Sequence, residues 1–242
     1  MNLAFWLSAP SVPHIEIAHE FGFKAVVLDI EHGTFGLDDL DRVIPYCRAL
    51  GIAVYAKVLG PQAEAIQQAL DFGADAVIIP HIADVAHAER VTQAAKYPPL
   101  GMRSLSAGRT YGYGPASEAH NGEENLRVKC WPMIESAESL ADVERIVALP
   151  TVDGLFAGPS DLSLTRGRKR YAFSADDQQD LIRIAKAANA AGKPWVIPAW
   201  TPAERELARA HGAHLAIVGA QWALVRAAFR QLTETLQAEG LR

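Results

Sequence analysis

Five times along the chain an amphipathic segment ends at or near a glycine and a short apolar strand follows within a few residues. The stretches are "HEFGFKAVVLDI", "RALGIAVYAKV", "LDFGADAVIIP", "NAAGKPWVIPA" and "RAHGAHLAIVG", with Gly22, Gly51, Gly73, Gly192 and Gly212 at the junctions. Glycine at such a junction suits a left-handed helix C-cap. The strands that follow are β-branched and apolar without alternation, as strands buried on both faces are. Adding "LAFWLS", "RVKCWPMIE" and "VDGLFAG" gives eight strands, near residues 3–7, 25–29, 53–58, 75–79, 127–134, 153–157, 194–199 and 214–218. Between them, residues such as Leu37, Leu40, Val43, Ile44 and Cys47 recur at helical spacing on one face. Eight alternating units predict a (β/α)₈ barrel rather than an open sheet. No GxGxxG follows a strand and no GxxxxGK[ST] is present, which removes support from the nucleotide-binding α/β folds.

A chain of 242 residues suits one such barrel, here expected as a single domain over 1–242. Half of it is hydrophobic, against disorder. A net charge of −5 without a basic run excludes nucleic acid as an expected partner. The opening "MNLAFWLSAPSVPHIE" has neither a basic n-region nor a long h-region, and no apolar run is long enough for a bilayer, so the expected location is cytoplasmic. Cys47 and Cys130 form no CxxC pair and read as buried free thiols.

In a barrel, chemistry gathers at the C-terminal strand ends. Strand two ends in "VVLDIEHGTFG", which supplies Asp29, Glu31 and His32; strand three supplies Lys57, strand four His81 and strand five Glu135. Strand six runs into "GPSD" with Ser160 and Asp161, and strand eight into Gly219 and Gln221. Glu135 and Asp161 form a carboxylate pair on adjacent strands, suited to a hard divalent cation such as Mg²⁺ or Mn²⁺. The alternative for either acid is a lysine partner or, for Asp161, a helix cap. "AGPSDLS" turns tightly into a helix and offers backbone N–H groups to an anion. Lys57 brings a cation, and His32 a base that works near neutral pH. Together they predict enolisation of a carbonyl beside the cation. A Schiff base on Lys57 would leave the carboxylate pair without a task.

"LDIEHGTFGLDDL", "QALDFGADAVIIPHI", "AAKYPPLGMRS", "PMIESAESLADVERI" and "VDGLFAGPSDLS" resemble the HpcH/HpaI aldolase family, the metal-dependent class II pyruvate aldolases. The likeness runs in order from Leu3 to Ser163 and more loosely to the end. It implies a barrel of the phosphoenolpyruvate/pyruvate type, acting on a 4-hydroxy-2-oxo acid of the 4-hydroxy-2-oxoheptanedioate or 2-dehydro-3-deoxyglucarate kind. The products would be pyruvate, or a similar oxo acid, and an aldehyde. It also implies Glu135 and Asp161 as ligands of Mg²⁺ or Mn²⁺, with Co²⁺ a further candidate. His32 would be the base, oriented by Asp71, and backbone at Ser160 and Asp161 would hold the pyruvate carboxylate. Arg103 matches a family arginine that serves either a ligand or a structural salt bridge.

Two departures bear on the substrate. Lys57 stands where the family has an arginine, keeping charge without the bidentate fork, and Met133 stands where it has a glutamine. A relative acting on oxaloacetate or an acyl-CoA, or a barrel that binds an oxo acid without catalysis, are the competing readings. His81 and "SAGRTYGYG" (106–114) are unusual beside the common aldolases; the segment reads as a lid, a partner contact or a plain loop. In "QWALVRAAFRQLTETLQAEGLR", Trp222, Leu224, Val225, Ala228, Phe229 and Leu232 form a broad apolar helical face. In a lone barrel it would cover strands eight and one. The resemblance implies instead a homohexamer, a trimer of dimers, in which this helix crosses to a neighbour.

Overall fold

The computed structural model describes residues 1–241; Arg242, the last residue of the expected domain, lies outside the described residues. The elements run β1 Asn2–Leu7, α1 Val12–Glu20, β2 Ala25–Asp29, α2 Leu37–Ala49, β3 Ala53–Lys57, α3 Ala63–Asp71 and β4 Ala76–Ile79. They continue α4 Val85–Thr92, α5 Glu118–Arg127, β5 Lys129–Ile134, α6 Ala137–Ala141, α7 Val143–Ala148, β6 Leu155–Ala157 and α8 Pro159–Thr165. The chain closes with α9 Ala175–Ala190, β7 Trp195–Pro198, α10 Pro202–Ala210, β8 Leu215–Ala220 and α11 Gln221–Ala238.

All eight strands are parallel and close into a barrel in sequence order. The closing seam pairs Asn2 with Leu215 and Trp6 with Ala220. All five junction glycines adopt positive φ, the conformation the repeat predicts. Strand five begins two residues later than expected, because Arg127 ends α5 and its guanidinium bonds Glu124 and Asp75.

Strand side chains alternate between two apolar layers. Val27, Ile78, Trp131, Met133, Phe156 and Val196 fill the barrel, where Tyr55 stacks on Trp131 with ring centroids 4.9 Å apart. Val26, Leu28, Val54, Val77 and Ile197 face outward to the helices. This two-sided burial explains the unbroken apolar runs. Cys47 and Cys130 are buried free thiols, as expected; burial pushes the Cys47 thiol up to about 12.

The 106–114 segment joins α4 to α5 and is fastened to outer helices. Arg109 pairs with Asp41 of α2 at 2.5 Å, and the Tyr111 hydroxyl bonds Asn121 of α5. None of its residues lines the cavities at the mouth, so it is no lid in this conformation. α11 touches β8 and β1 near its start, yet Trp222, Leu224, Phe229 and Leu232 stay 52, 54, 66 and 52 % exposed. Among the described residues no helix is long and apolar enough to cross a membrane.

Candidate active site

At the end of β2, Asp29 is buried and serves as a hub. Its carboxylate accepts from Trp6 Nε1 at 3.0 Å and from the His32 backbone N–H at 3.3 Å, and faces Lys57 Nζ at 3.4 Å. These contacts hold the turn that carries His32. A Cβ at Gly33 would sit 2.1 Å from the Asp29 carbonyl oxygen and 2.5 Å from that of Ser8, so only glycine fits there. The His32 ring stays open to solvent, with Nε2 3.5 Å from Glu31 Oε1.

Asp29 and Glu31 lie two apart, the spacing that puts both side chains on one face of an extended chain. Glu31 Oε2 pairs with Lys57 Nζ, and its Oε1 meets His81 Nε2 at 2.6 Å. His81 has φ +59°, a left-handed backbone uncommon outside glycine. That turn aims its N–H at Glu135 Oε1, 2.5 Å away. Glu135 is buried, and burial is the main cause that raises its pKa above the ordinary carboxylate value. The His81 N–H pulls the other way, and the nearby Asp161 charge pushes it up again.

Asp161 sits in the first turn of α8, where Gly158 is the N-cap and Pro159 opens the helix. Asp161 is therefore not the cap, and among the described residues Glu135 has no lysine within salt-bridge distance. A Cβ at Gly158 would stand 2.7 Å from Glu135 Cβ and 3.0 Å from Met133 Cε, so glycine is what lets α8 approach β5. The first N–H groups of α8, around Ser160 and Asp161, have no partner within the helix. Two cavities meet at Asp161. The larger, about 380 Å³, is bordered by His81, Glu135, Ser136, Glu138 and Thr165. The smaller, about 190 Å³, is bordered by Trp6, His32, Lys57, Met133, Ser160 and Trp200.

The donor set suits a hard cation. Glu135 and Asp161 border one cavity, and the coulombic push of Asp161 on Glu135 is the repulsion a cation would relieve. Among the described residues no three His, Cys, Asp or Glu side chains form a ready cage.

His32, Lys57, Met133, Glu135, Ser160 and Asp161 are thus brought to one mouth. Two expected residues are not. Asp71 ends α3, which runs from the mouth towards the barrel base, so it lies away from His32 in the same chain. It pairs with Arg103 at 2.8 Å. Arg103 is buried, stacks at 4.6 Å over Tyr97 and lines neither mouth cavity; of its two readings, the salt bridge is the one this chain displays. Trp6 and Glu31 thus join the site beyond the roles expected from the sequence. The inward alternation of Ala4 and Trp6 along β1 was the available signal for the first. Gln221, also at the rim, accepts the Ser8 and Ala9 N–H groups and braces the first loop.

A model of the HpcH/HpaI aldolase/citrate lyase family matches residues 2–228. A 2-keto-3-deoxy-L-rhamnonate aldolase of Klebsiella pneumoniae is 32% identical over 225 residues, covering 90% of this chain and 82% of its own length. A 5-keto-4-deoxy-D-glucarate aldolase of Shigella dysenteriae is 30% identical over 241 residues, covering 98% and 93%. Among solved structures, an HpcH/HpaI aldolase/citrate lyase family protein from Burkholderia cenocepacia has a TM-score of 0.88 at 25% identity, covering 98% of this chain and 94% of that one.

Proposed function

Because the chain belongs to the HpcH/HpaI aldolase/citrate lyase family and is an aldolase, a carbon–carbon lyase, like its relatives, we propose that it cleaves a 4-hydroxy-2-oxo acid between C3 and C4 to pyruvate and an aldehyde. The carrying observation is the meeting of the Glu135 and Asp161 carboxylates with Lys57 and His32 around two joined cavities. The deoxy-sugar acids in the relatives' names support a hydroxylated, sugar-derived acid as the substrate.

Glu135 and Asp161 would hold a divalent cation, Mg²⁺ or Mn²⁺, which when bound supplies a Lewis acid beside the 2-oxo group. The free N–H groups at Ser160 and Asp161 bind the substrate carboxylate. His32 takes the proton of the C4 hydroxyl as the C3–C4 bond breaks. The aldehyde leaves, and the electron pair of that bond remains as the pyruvate enolate. Lys57 faces the enolate oxygen with its ammonium, and a proton delivered to C3 completes pyruvate. Trp6, Phe156 and Trp200 give the smaller cavity apolar walls that limit water at the reacting centre. Met133 adds apolar contact where it offers no strong hydrogen bond.

Two features of the single chain support assembly. α11 leaves an apolar face uncovered, which supports a homo-oligomer, the hexamer of the family resemblance included. Asp71 lies at the far end of its own barrel, so it reaches a His32 only when it belongs to another copy.

Exchange of the C3 protons of pyruvate with deuterated solvent tests the reading. Mass spectrometry of the pyruvate should show deuterium entering with Mn²⁺ and stopping on chelation. Borohydride added with pyruvate should leave the protein mass unchanged, since Lys57 forms no Schiff base. An absence of exchange, or a reduced adduct on Lys57, would overturn it.

A further inference from the structure

Lys57 carries its charge on a flexible four-carbon stem, so its place at the mouth depends on what grips its ammonium. Two carboxylates do so. Asp29, fixed by Trp6 and the His32 N–H, stands at 3.4 Å. Glu31 is the closer partner through Oε2. Glu31 follows the end of β2, and its own orientation is set through Oε1, where His81 Nε2 lies at 2.6 Å and His32 Nε2 at 3.5 Å. The closer ring is that of His81, which arrives from β4, across the end of β3 that carries Lys57. The His81 backbone is in turn tied to Glu135 by its N–H at 2.5 Å. One line of contacts therefore links the ends of β5, β4, β2 and β3 in the order Glu135, His81, Glu31, Lys57.

We infer that His81 is a positioning residue for Lys57, acting through the Glu31 carboxylate. The inference rests on the proposed reaction only in taking Lys57 as the group that faces the reacting oxo acid. The contact brings the ring Nε2 within 2.6 Å of the Glu31 carboxylate, and no proton leaves His81 in the step. Its left-handed backbone matters as well, because it lets one residue touch Glu135 with its main chain and Glu31 with its side chain.

Two variants separate these contacts. Asparagine tolerates the left-handed backbone, so His81→Asn keeps the N–H on Glu135 but is too short to reach Glu31. His81→Gln restores a donor at about the reach of Nε2. The first readout is the rate at which an amine-directed reagent labels each lysine, followed by mass spectrometry. Lys96, buried at the base of the barrel, is the internal control. In His81→Asn, Lys57 should label several-fold faster, Lys96 should not change, and His81→Gln should return Lys57 towards the wild-type rate. The second readout is pyruvate proton exchange, where kcat should fall about tenfold in His81→Asn with little change in KM. Equal labelling of Lys57 in wild type and His81→Asn overturns the inference. So does faster labelling of both lysines, which would mark a general structural role. If the wild-type protein exchanges no pyruvate protons, the proposed reaction fails, while the labelling still decides the role of His81.

Discussion

Two glutamates lie at opposite ends of the same stretch of chain. Glu124, in the last turns of α5 at the base, and Glu135, one residue beyond β5 at the mouth, are 5 and 6 % exposed. Burial acts on both as the largest single influence, raising the carboxyl pKa. At the base it is outweighed. Arg127 grips Glu124 with Nε at 2.5 Å and Nη2 at 3.1 Å, Arg103 stands behind at 3.8 Å, and the pKa ends below the ordinary value. At the mouth it is not. Glu135 has the His81 backbone N–H and, at 3.7 Å, the His81 ring, with a second acid, Asp161, nearby, and its pKa ends above. Among the described residues the same side chain at the same depth faces two arginines in one place and none in the other. A buried charge whose partners are withheld is the physical mark of a site, whereas buried ion networks that are complete belong to the scaffold.

Removing the acids one at a time separates the two roles. Glu135→Ala or Asp161→Ala should lower pyruvate exchange by about 10³-fold or more and abolish divalent-cation binding by calorimetry, with the thermal transition retained. Glu124→Ala should do the reverse, keeping cation affinity while lowering the transition. Full Mn²⁺ binding by either mouth variant would remove the assignment.

His32→Ala sharpens the same contrast within the mouth. A group that moves a proton and holds no cation should reduce turnover by about 10²–10⁴-fold and leave Mn²⁺ affinity near wild type. Turnover at the wild-type rate would strip His32 of its role as base.

The sequence reading reached the strand ends because the barrel repeats, and a repeat indexes position. Once eight strands are counted, Glu135, Asp161, His32 and Lys57 must share a rim. What it did not reach depends on contacts that no periodicity encodes. His81 takes a left-handed turn without a glycine to announce it, so its span from β4 to Glu31 is invisible in one dimension. Asp71 carried the family spacing, but spacing does not say that a helix C-terminus points to the base, away from its own mouth. Arg103 could not be assigned between ligand and salt bridge until Asp71, Glu124 and Tyr97 were found around it.

A gentler change at the base gives a smaller, purely structural effect. Glu124→Gln keeps the shape but removes the charge facing Arg127. The expected loss is about 1–3 kcal/mol by chemical denaturation, below the range for a fully buried pair because the Arg127 side chain is 29 % exposed. Unchanged stability would mean that the base network is as dispensable as surface ion pairs.

The smallest effect is a pH trend at Glu135. Its folded pKa is raised, so the cation-free fold favours the neutral acid. The resulting contribution to stability is full below the unfolded carboxyl pKa and is lost as pH rises through the folded value. Glutamine is neutral throughout. Stability of the cation-free wild type relative to Glu135→Gln should therefore be highest at the acidic end and decline as pH rises. With Mn²⁺ present the trend should reverse, because the cation requires the ionised carboxylate and its affinity falls as protons compete. The scan belongs above pH of about 4, the ordinary aspartate pKa, since Asp177 obeys the opposite sign. Burial alone would raise Asp177, but hydrogen bonds from Ser163, Ser174 and Ala172 outweigh it and pull it down to about 2. Its stabilisation is present above the unfolded aspartate value and lost only as pH falls through that lower one. If the wild type and Glu135→Gln run parallel across the scan, with and without Mn²⁺, Glu135 is no more open to a ligand than Glu124, and the distinction between mouth and base fails at its central residue.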